Sequence, residues 1–426
     1  MKNLEDAVER GRQQVVPLLQ QLLAFDTDIG VHDDPPRDDR RHQEFVAGFL
    51  AGLGAEVELL EPAEDVWSSH PMALPGQSFQ GRPILWARLP GSGGGPSLLF
   101  NGHYDTVLAD PLDAWTRDPR EGQVVDGQLY GRGACDMKGG NAAAMAAVAG
   151  LVEAGVELPG DVFFNFVPFE EVNGMGTTAT MLTGHRADAA VCCEPTELRP
   201  LIACRGVIAL ELEVEGRLAH AEIAQPHHSE GGGVNGIEKL VDLLLAVREL
   251  NERWRDDETK THPHLSTPFM LTSLVEGGSF WASWPATAKA TFDLTYLPGD
   301  ADADGYGSKV REEVERHISA AAEADEWLKE HPPRLNWLVD YPPVEVDERD
   351  PIVVLAEEVA NHPGGVGGFD SWADQVNLVR EGGIPTVLLG PGSILQAHTA
   401  DEYVPVADLE RCVEIYAGIA SNWVRG

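Results

Sequence analysis

Short apolar runs in this chain stop close to residues able to bind metal ions or protons. The run at 97–100 leads on to His103, Val162–Val167 to Glu170-Glu171, and 189–193 to Glu194. Runs this short and apolar suit parallel strands covered on both faces. Strands alternating with helices argue for an α/β sheet. In open sheets of that kind ligands bind beyond the carboxyl ends of the strands, which is where these polar residues stand.

The intervening segments support the same reading. Amphipathic helices are predicted at 15–23 and 41–53, a further strand at 84–89, and an alanine-rich helix at 141–154 that packs closely on the sheet. The pattern changes near Leu201. Residues 207–215 alternate apolar with acidic side chains, as a half-exposed antiparallel strand does. A helix at 234–250, a second alternating strand at 288–297 and a helix at 308–322 complete a compact α+β unit. The α/β pattern then resumes with a helix at 352–360, a strand at 385–389 and a closing helix at 407–424. The spacing thus predicts one domain from 1–200 and 336–426, interrupted by a second at 201–335.

A chain of 426 residues is too long for one ordinary core, which agrees with two domains. Its formal net charge of -38 argues against nucleic acid and anionic membranes as partners. No apolar run approaches the roughly 20 residues that span a bilayer. The first residues are charged and helical in pattern, without the apolar core of a signal peptide, so a cytoplasmic location is expected. The cysteines, Cys135, Cys192, Cys193, Cys204 and Cys412, form neither a disulfide framework nor a CxxC site.

Each candidate site residue has an ordinary alternative. His103 precedes Asp105, which is able to orient its second ring nitrogen. Asp136 sits at the turn into the alanine-rich helix, where a helix-capping role is reasonable. Glu170 and Glu171 end a buried strand, which is costly unless a cation is near or the turn is solvated. Glu194 repeats the theme, and His398 follows the strand at 385–389 and Gly390-Pro391-Gly392. Taken together, two imidazoles and several carboxylates at strand ends are what a pair of borderline divalent ions requires. An extra glutamate beside a ligand then serves to activate water. The chain reads as a metal-dependent hydrolase.

Gly102-His103-Tyr104-Asp105, the stretch Tyr130-Gly131-Arg132-Gly133-Ala134-Cys135-Asp136-Met137-Lys138-Gly139, Glu170-Glu171 and 206–220 resemble, in order and spacing, the M20 metallopeptidase family. That family includes acetylornithine deacetylases, succinyl-diaminopimelate desuccinylases and carboxypeptidases. The resemblance implies a metal-dependent exopeptidase-type catalytic domain, a mixed sheet flanked by helices, with an inserted α+β ferredoxin-like lid that also dimerises. It implies His103 and Glu194 on one ion, Glu171 and His398 on the other, and Asp136 bridging two divalent ions, zinc or else manganese or cobalt. It further implies Glu170 as general base, Asp105 as the partner orienting His103, and His220 as a histidine reaching the active site from the lid. His227 and His228 nearby read as solvated loop residues.

The implied activity is co-catalytic hydrolysis of an N-acyl amide of a small molecule, by a homodimer. The alternatives are a dipeptidase or carboxypeptidase, an aminohydrolase of an aromatic amine, or a metal-binding protein without catalysis. Departures from the family pattern bear on substrate. Ala282 replaces an asparagine common in family members, Thr295 replaces an arginine, and Asp374-Gln375-Val376 lacks the arginine of Asp-x-Arg. A guanidinium is well suited to clamp a substrate carboxylate, and Arg205 remains as the candidate anion contact. Phe280, Trp281, Trp284 and Trp372 are expected either to pack a domain interface or to wall a pocket for a ring-bearing group.

Overall fold

The computed structural model describes residues 2–30 and 34–423, which form two compact units. Met1 and Val424, parts of the expected first and last helices, lie outside the described residues. The first unit comprises Met1–Ala203, Glu345–Phe369 and Ala373–Gly426, and the second Cys204–Val344 with Asp370–Trp372.

A nine-stranded mixed sheet organises the first unit. At its centre Leu98–His103 runs parallel to Val162–Val167 on one side and to Ala189–Cys192 on the other. Thr386–Leu388 continues the parallel set beside Ala189–Cys192. Ile84–Leu89 and Glu56–Leu60 extend the sheet antiparallel on the other side. The central strands are mostly apolar because both faces are covered, with Asn101 and Asn165 as buried polar exceptions.

The helix Lys138–Glu153 lies against this sheet, and its residues from Lys138 to Leu151 are buried. Small side chains permit that closeness. A Cβ at Gly140 would stand 2.1 Å from the carbonyl oxygen of Cys193, and one at Gly150 would stand 2.1 Å from that of Ala7. The first helix, Lys2–Leu23, passes over Gly150 as one continuous element.

The second unit follows the order strand Gly206–Glu215, helix Gly236–Asp256, strands Met270–Gly277 and Thr287–Tyr296, helix Ser308–Glu323, strand Arg334–Tyr341. Gly206–Glu215 and Thr287–Tyr296 are the inner strands of a four-stranded antiparallel sheet, with Met270–Gly277 and Arg334–Tyr341 at its edges. This is the βαββαβ, ferredoxin-like arrangement. Ile208, Leu210, Leu212 and Val214 alternate into a core with Phe292, Leu294, Leu243 and Val314. Asn235 caps the first helix by accepting from the N–H groups of Ile237 and Glu238.

The observed boundaries differ from the expected ones. Leu201–Cys204 belongs to the large sheet, where Leu201 pairs with Leu388. Residues 336–344 belong to the second unit, because Arg334–Tyr341 completes its sheet against Gly206–Glu215.

Candidate metal centre

His103 closes the strand Leu98–His103, and Glu194 follows Ala189–Cys192 on the neighbouring strand. Glu170 and Glu171 open the short helix Glu170–Asn173 after Val162–Val167, with Phe169 turning the chain through φ 69°. Asp136 stands just before the helix Lys138–Glu153, and its peptide bond to Met137 is cis. His398 arrives from the returning segment with a positive φ of 59°. Adjacent parallel strands therefore deliver His103, Glu170-Glu171 and Glu194 to one place, and a helix start and a returning loop add Asp136 and His398.

The two imidazoles face the two oxygens of one carboxylate. His103 Nε2 is 3.0 Å from Asp136 Oδ1, and His398 Nε2 is 3.5 Å from Asp136 Oδ2. His398 Nε2 also lies 2.9 Å from Glu171 Oε2. Glu170 Oε2 and Glu194 Oε1 stand 3.9 and 4.0 Å from His103 Nε2. Ligand atoms of His103, Glu170 and Glu194 converge within 4.8 Å of one another, as do those of His103, Asp136 and Glu171.

Electrostatics mark the site. Burial, then the charge of Glu194, raises Glu170 well above the usual carboxylate range. Burial, then Asp136, does the same to Glu194. Burial opposes the charge on His103, but the hydrogen bond with Asp136 and the charges of Glu170, Asp136 and Glu194 prevail and raise its pKa. Hydrogen bonds to Asp136 and Glu171 raise His398 to about 10. Asp136 stays low because the bonds from both histidines outweigh its burial. Among the described residues, no lysine or arginine pairs with Asp136, Glu170, Glu171 or Glu194. Buried carboxylates whose cationic neighbours among the described residues are imidazoles alone form a donor set that fits divalent cations.

Asp105 orients His103 differently from expectation. The backbone carbonyl of Asp105, 2.7 Å away, accepts from Nδ1. Its carboxylate is 3.7 Å from Nδ1 and instead accepts from the N–H groups of Glu170 and Glu171, at 3.4 and 3.3 Å. One residue thereby ties the histidine to the glutamate pair. Burial raises that carboxyl to about 7.

Two residues that sequence reasoning passed over complete the support. Buried Glu402 accepts from the N–H groups of Cys135 and Asp136 at 2.8 and 3.1 Å, and Arg132 Nη1 binds its other oxygen at 2.6 Å. Asn141 donates to the carbonyl of His103 at 2.7 Å. In an acidic chain Glu402 reads as one more surface carboxylate, and burial alone marks it.

The second unit holds the other expected residues. His220 is exposed, and its Nδ1 accepts from the N–H of Glu222. Arg205 is not free to clamp an anion. Its buried guanidinium pairs with Asp370 at 2.8 Å, donates to Thr295 Oγ1 at 3.0 Å and donates to the carbonyls of Ser266 and Thr267. Phe280, Trp281 and Trp284 line a cavity of about 660 Å³ together with Asn235 and Ser283. Trp372 does not join them and packs on Tyr341 instead, with ring centroids 5.4 Å apart.

The family model for peptidase family M20/M25/M40 matches residues 99–422. The chain belongs to that family. Its M20 relatives include an N-formyl-4-amino-5-aminomethyl-2-methylpyrimidine deformylase of Halalkalibacterium halodurans, 29% identical over 98% of this chain and 96% of the relative. A succinyl-diaminopimelate desuccinylase of Methylobacterium radiotolerans is 30% identical over 88% of this chain and 92% of its own. The fold is shared with human carnosine dipeptidase 1, at a TM-score of 0.73, 18% identity and 97% coverage of both chains. This M20 protein is thus a metal-dependent hydrolase of C–N amide bonds, with a catalytic domain and a lid domain.

Proposed function

We propose that this enzyme removes a short acyl group, of the formyl class, from an aminomethyl-substituted heteroaromatic amine. The observation that carries the reading is the full-length likeness to a protein named for deformylating an aminopyrimidine. The site residues support it from a second side. A carboxylate clamp is incomplete at Ala282, Thr295 and Val376, and Arg205 is committed to Asp370.

In the mechanism we infer, His103 and Glu194 would hold one divalent ion and Glu171 and His398 the other, with Asp136 between the histidines as their shared carboxylate. When bound, such ions polarise an amide carbonyl and lower the pKa of water. Glu170 takes the proton of the attacking water and passes it to the departing amine nitrogen. Burial, then the charge of Glu194, raises the pKa of Glu170, the direction that strengthens a carboxylate as a proton acceptor. Asp105 and Asn141 hold His103 in one orientation, and Glu402 holds the backbone at Asp136. We assign His220 to the oxyanion, as a donor from the lid domain. Mixed imidazole and carboxylate ligands favour zinc, with manganese or cobalt as substitutes.

We also infer a homodimer through the lid. Met270–Gly277 is an edge strand whose Leu271, Leu274 and Val275 are exposed. Ile237, Val241 and Leu245 lie exposed along one stripe of the helix Gly236–Asp256. Apolar edges and stripes of this kind call for a partner surface. Five free, buried cysteines suit a reducing compartment, so we assign the enzyme to the cytoplasm.

The test compares kcat/KM on N-formyl aminomethylpyrimidines, N-acetylornithine, N-succinyl-diaminopimelate and dipeptides, with zinc, manganese and cobalt supplied. A missing charge-assisted contact is worth roughly 1.5–3 kcal/mol. Carboxylate-bearing substrates should therefore bind about ten- to a hundredfold more weakly than in family members that keep the clamp, and the formyl heteroaromatic should give the higher kcat/KM here. Preference for N-acetylornithine over every ring-bearing amide would overturn the substrate assignment.

A further inference from the structure

Away from the paired centre, the second unit gathers two imidazoles and a carboxylate on its surface. His227 Nε2 and His228 Nε2 each lie 3.5 Å from the same oxygen, Oε2 of Glu326. Ligand atoms of the three residues converge within 4.8 Å. The two rings stand 4.0 Å apart, and His228 meets Trp327 edge to face at 5.7 Å.

A separation of 3.5 Å is too long for a good N–H···O hydrogen bond, which falls near 2.7–3.2 Å. It does match the edge of a metal tetrahedron. Ligand bonds of about 2.0–2.2 Å to zinc place neighbouring ligand atoms about 3.4 Å apart. The loop is also built to present these rings. His227 Nδ1 is engaged by Ser229 Oγ at 2.9 Å, which turns Nε2 toward Glu326. Arg217 Nη1 clamps the backbone by donating to the carbonyls of His228 and Gly232 at 2.7 and 3.1 Å. On the other side Asp325 caps the helix Glu326–Glu330 and pairs with Lys239.

We propose that His227, His228 and Glu326 form a further metal site, which takes a borderline divalent cation such as Zn²⁺, Ni²⁺ or Cu²⁺ with water completing the shell. Imidazole donors select these ions over Mg²⁺ and Ca²⁺, which prefer oxygen. Exposure and the nearby Arg217 guanidinium, 4.8 Å above the Trp327 ring, make it weaker than the buried centre. Its occupation ties the loop that begins after His220 to the helix Glu326–Glu330. The site is therefore a zinc-dependent staple of the lid loop.

Equilibrium dialysis of the full chain against graded free Zn²⁺, with metal counted by mass spectrometry, tests this. Parent protein is expected to bind one equivalent more than His227→Ala or Glu326→Gln at high free zinc. At low free zinc all three should carry equal metal and hydrolyse substrate equally. Because the readout is a difference between parent and variants, it stands apart from how the paired centre fills. A parent stoichiometry retained by both variants would place any extra ion elsewhere and overturn the proposal. Equal, low stoichiometry in parent and variants at every zinc concentration would overturn it as well.

Discussion

Replacing Glu170 by glutamine separates proton transfer from metal binding at the proposed centre. The Glu170 carboxylate lies 3.9 Å from His103 Nε2, beyond hydrogen-bond reach. Its backbone N–H, not its side chain, makes the bond to Asp105 that ties the segment down. The near-isosteric amide therefore leaves His103, Asp136, Glu171, Glu194 and His398 where they are. What disappears is the base. Losing a general base costs about 10²–10⁴-fold in rate, or roughly 3–5 kcal/mol of barrier at 1.36 kcal/mol per tenfold. The same change removes an ionisable group whose charged form is disfavoured first by burial and then by Glu194. The metal-free variant should accordingly unfold no more easily than the parent. The assay is steady-state kcat on the preferred amide, with metal content by mass spectrometry and thermal unfolding in chelator. A kcat within a few-fold of parent would assign the base elsewhere. Lost metal would make Glu170 a ligand and refute the division of roles.

Other expectations follow from the surrounding structure. Glu402→Gln leaves Arg132 buried without its counter-charge, and breaking a buried pair costs about 3–5 kcal/mol; a change under about 1 kcal/mol in denaturant unfolding would show that Arg132 is balanced otherwise. Chelation should make stability fall as pH rises. Glu170, Glu194, His103 and His398 all have folded-state pKa values above their unfolded ones, so the folded, metal-free chain holds protons that the unfolded chain releases. The carboxylate part is lost as pH climbs past about 4.3 and the imidazole part as it climbs past about 6.5, reaching about 10 for His398. Asp136, lowered when folded, contributes fully above its unfolded value and does not reverse the trend. A flat or rising melting temperature from about pH 5 to 9 without metal would contradict this sign. Leu274→Asp on the exposed edge strand should convert a dimer to monomer in sedimentation velocity, and an unchanged sedimentation coefficient would remove the lid as the interface.

Much of the centre was legible because its chemistry is local. His103, Glu170-Glu171 and Glu194 each sit just past a short apolar run, and a run of that kind announces a buried strand whatever else the chain does. The alternation of 207–215 was equally plain, since one face of that strand is buried and the other is not. The outer strands of its sheet carry a weak signal: Met270–Gly277, which pairs with Thr287–Tyr296, and Arg334–Tyr341, which pairs with Gly206–Glu215. Both are edge strands, Met270–Gly277 is exposed over most of its length, and their pairing comes from distant residues.

Sequence by itself determined which residue types end the central strands, and through them the reading of a hydrolase with imidazole and carboxylate groups gathered for a metal. Only the tertiary structure decided the geometry and the support. It put one oxygen of Asp136 before each histidine, gave the orienting bond of His103 to a backbone carbonyl, and turned Glu402 inward onto Arg132. It also committed Arg205 to Asp370, a residue far along the chain, so that an arginine open to a substrate in sequence is closed to it in space. The reason is physical. Strand periodicity and apolar burial are short-range properties of the chain, whereas the partner of a buried charge is chosen by which distant segments the fold brings together.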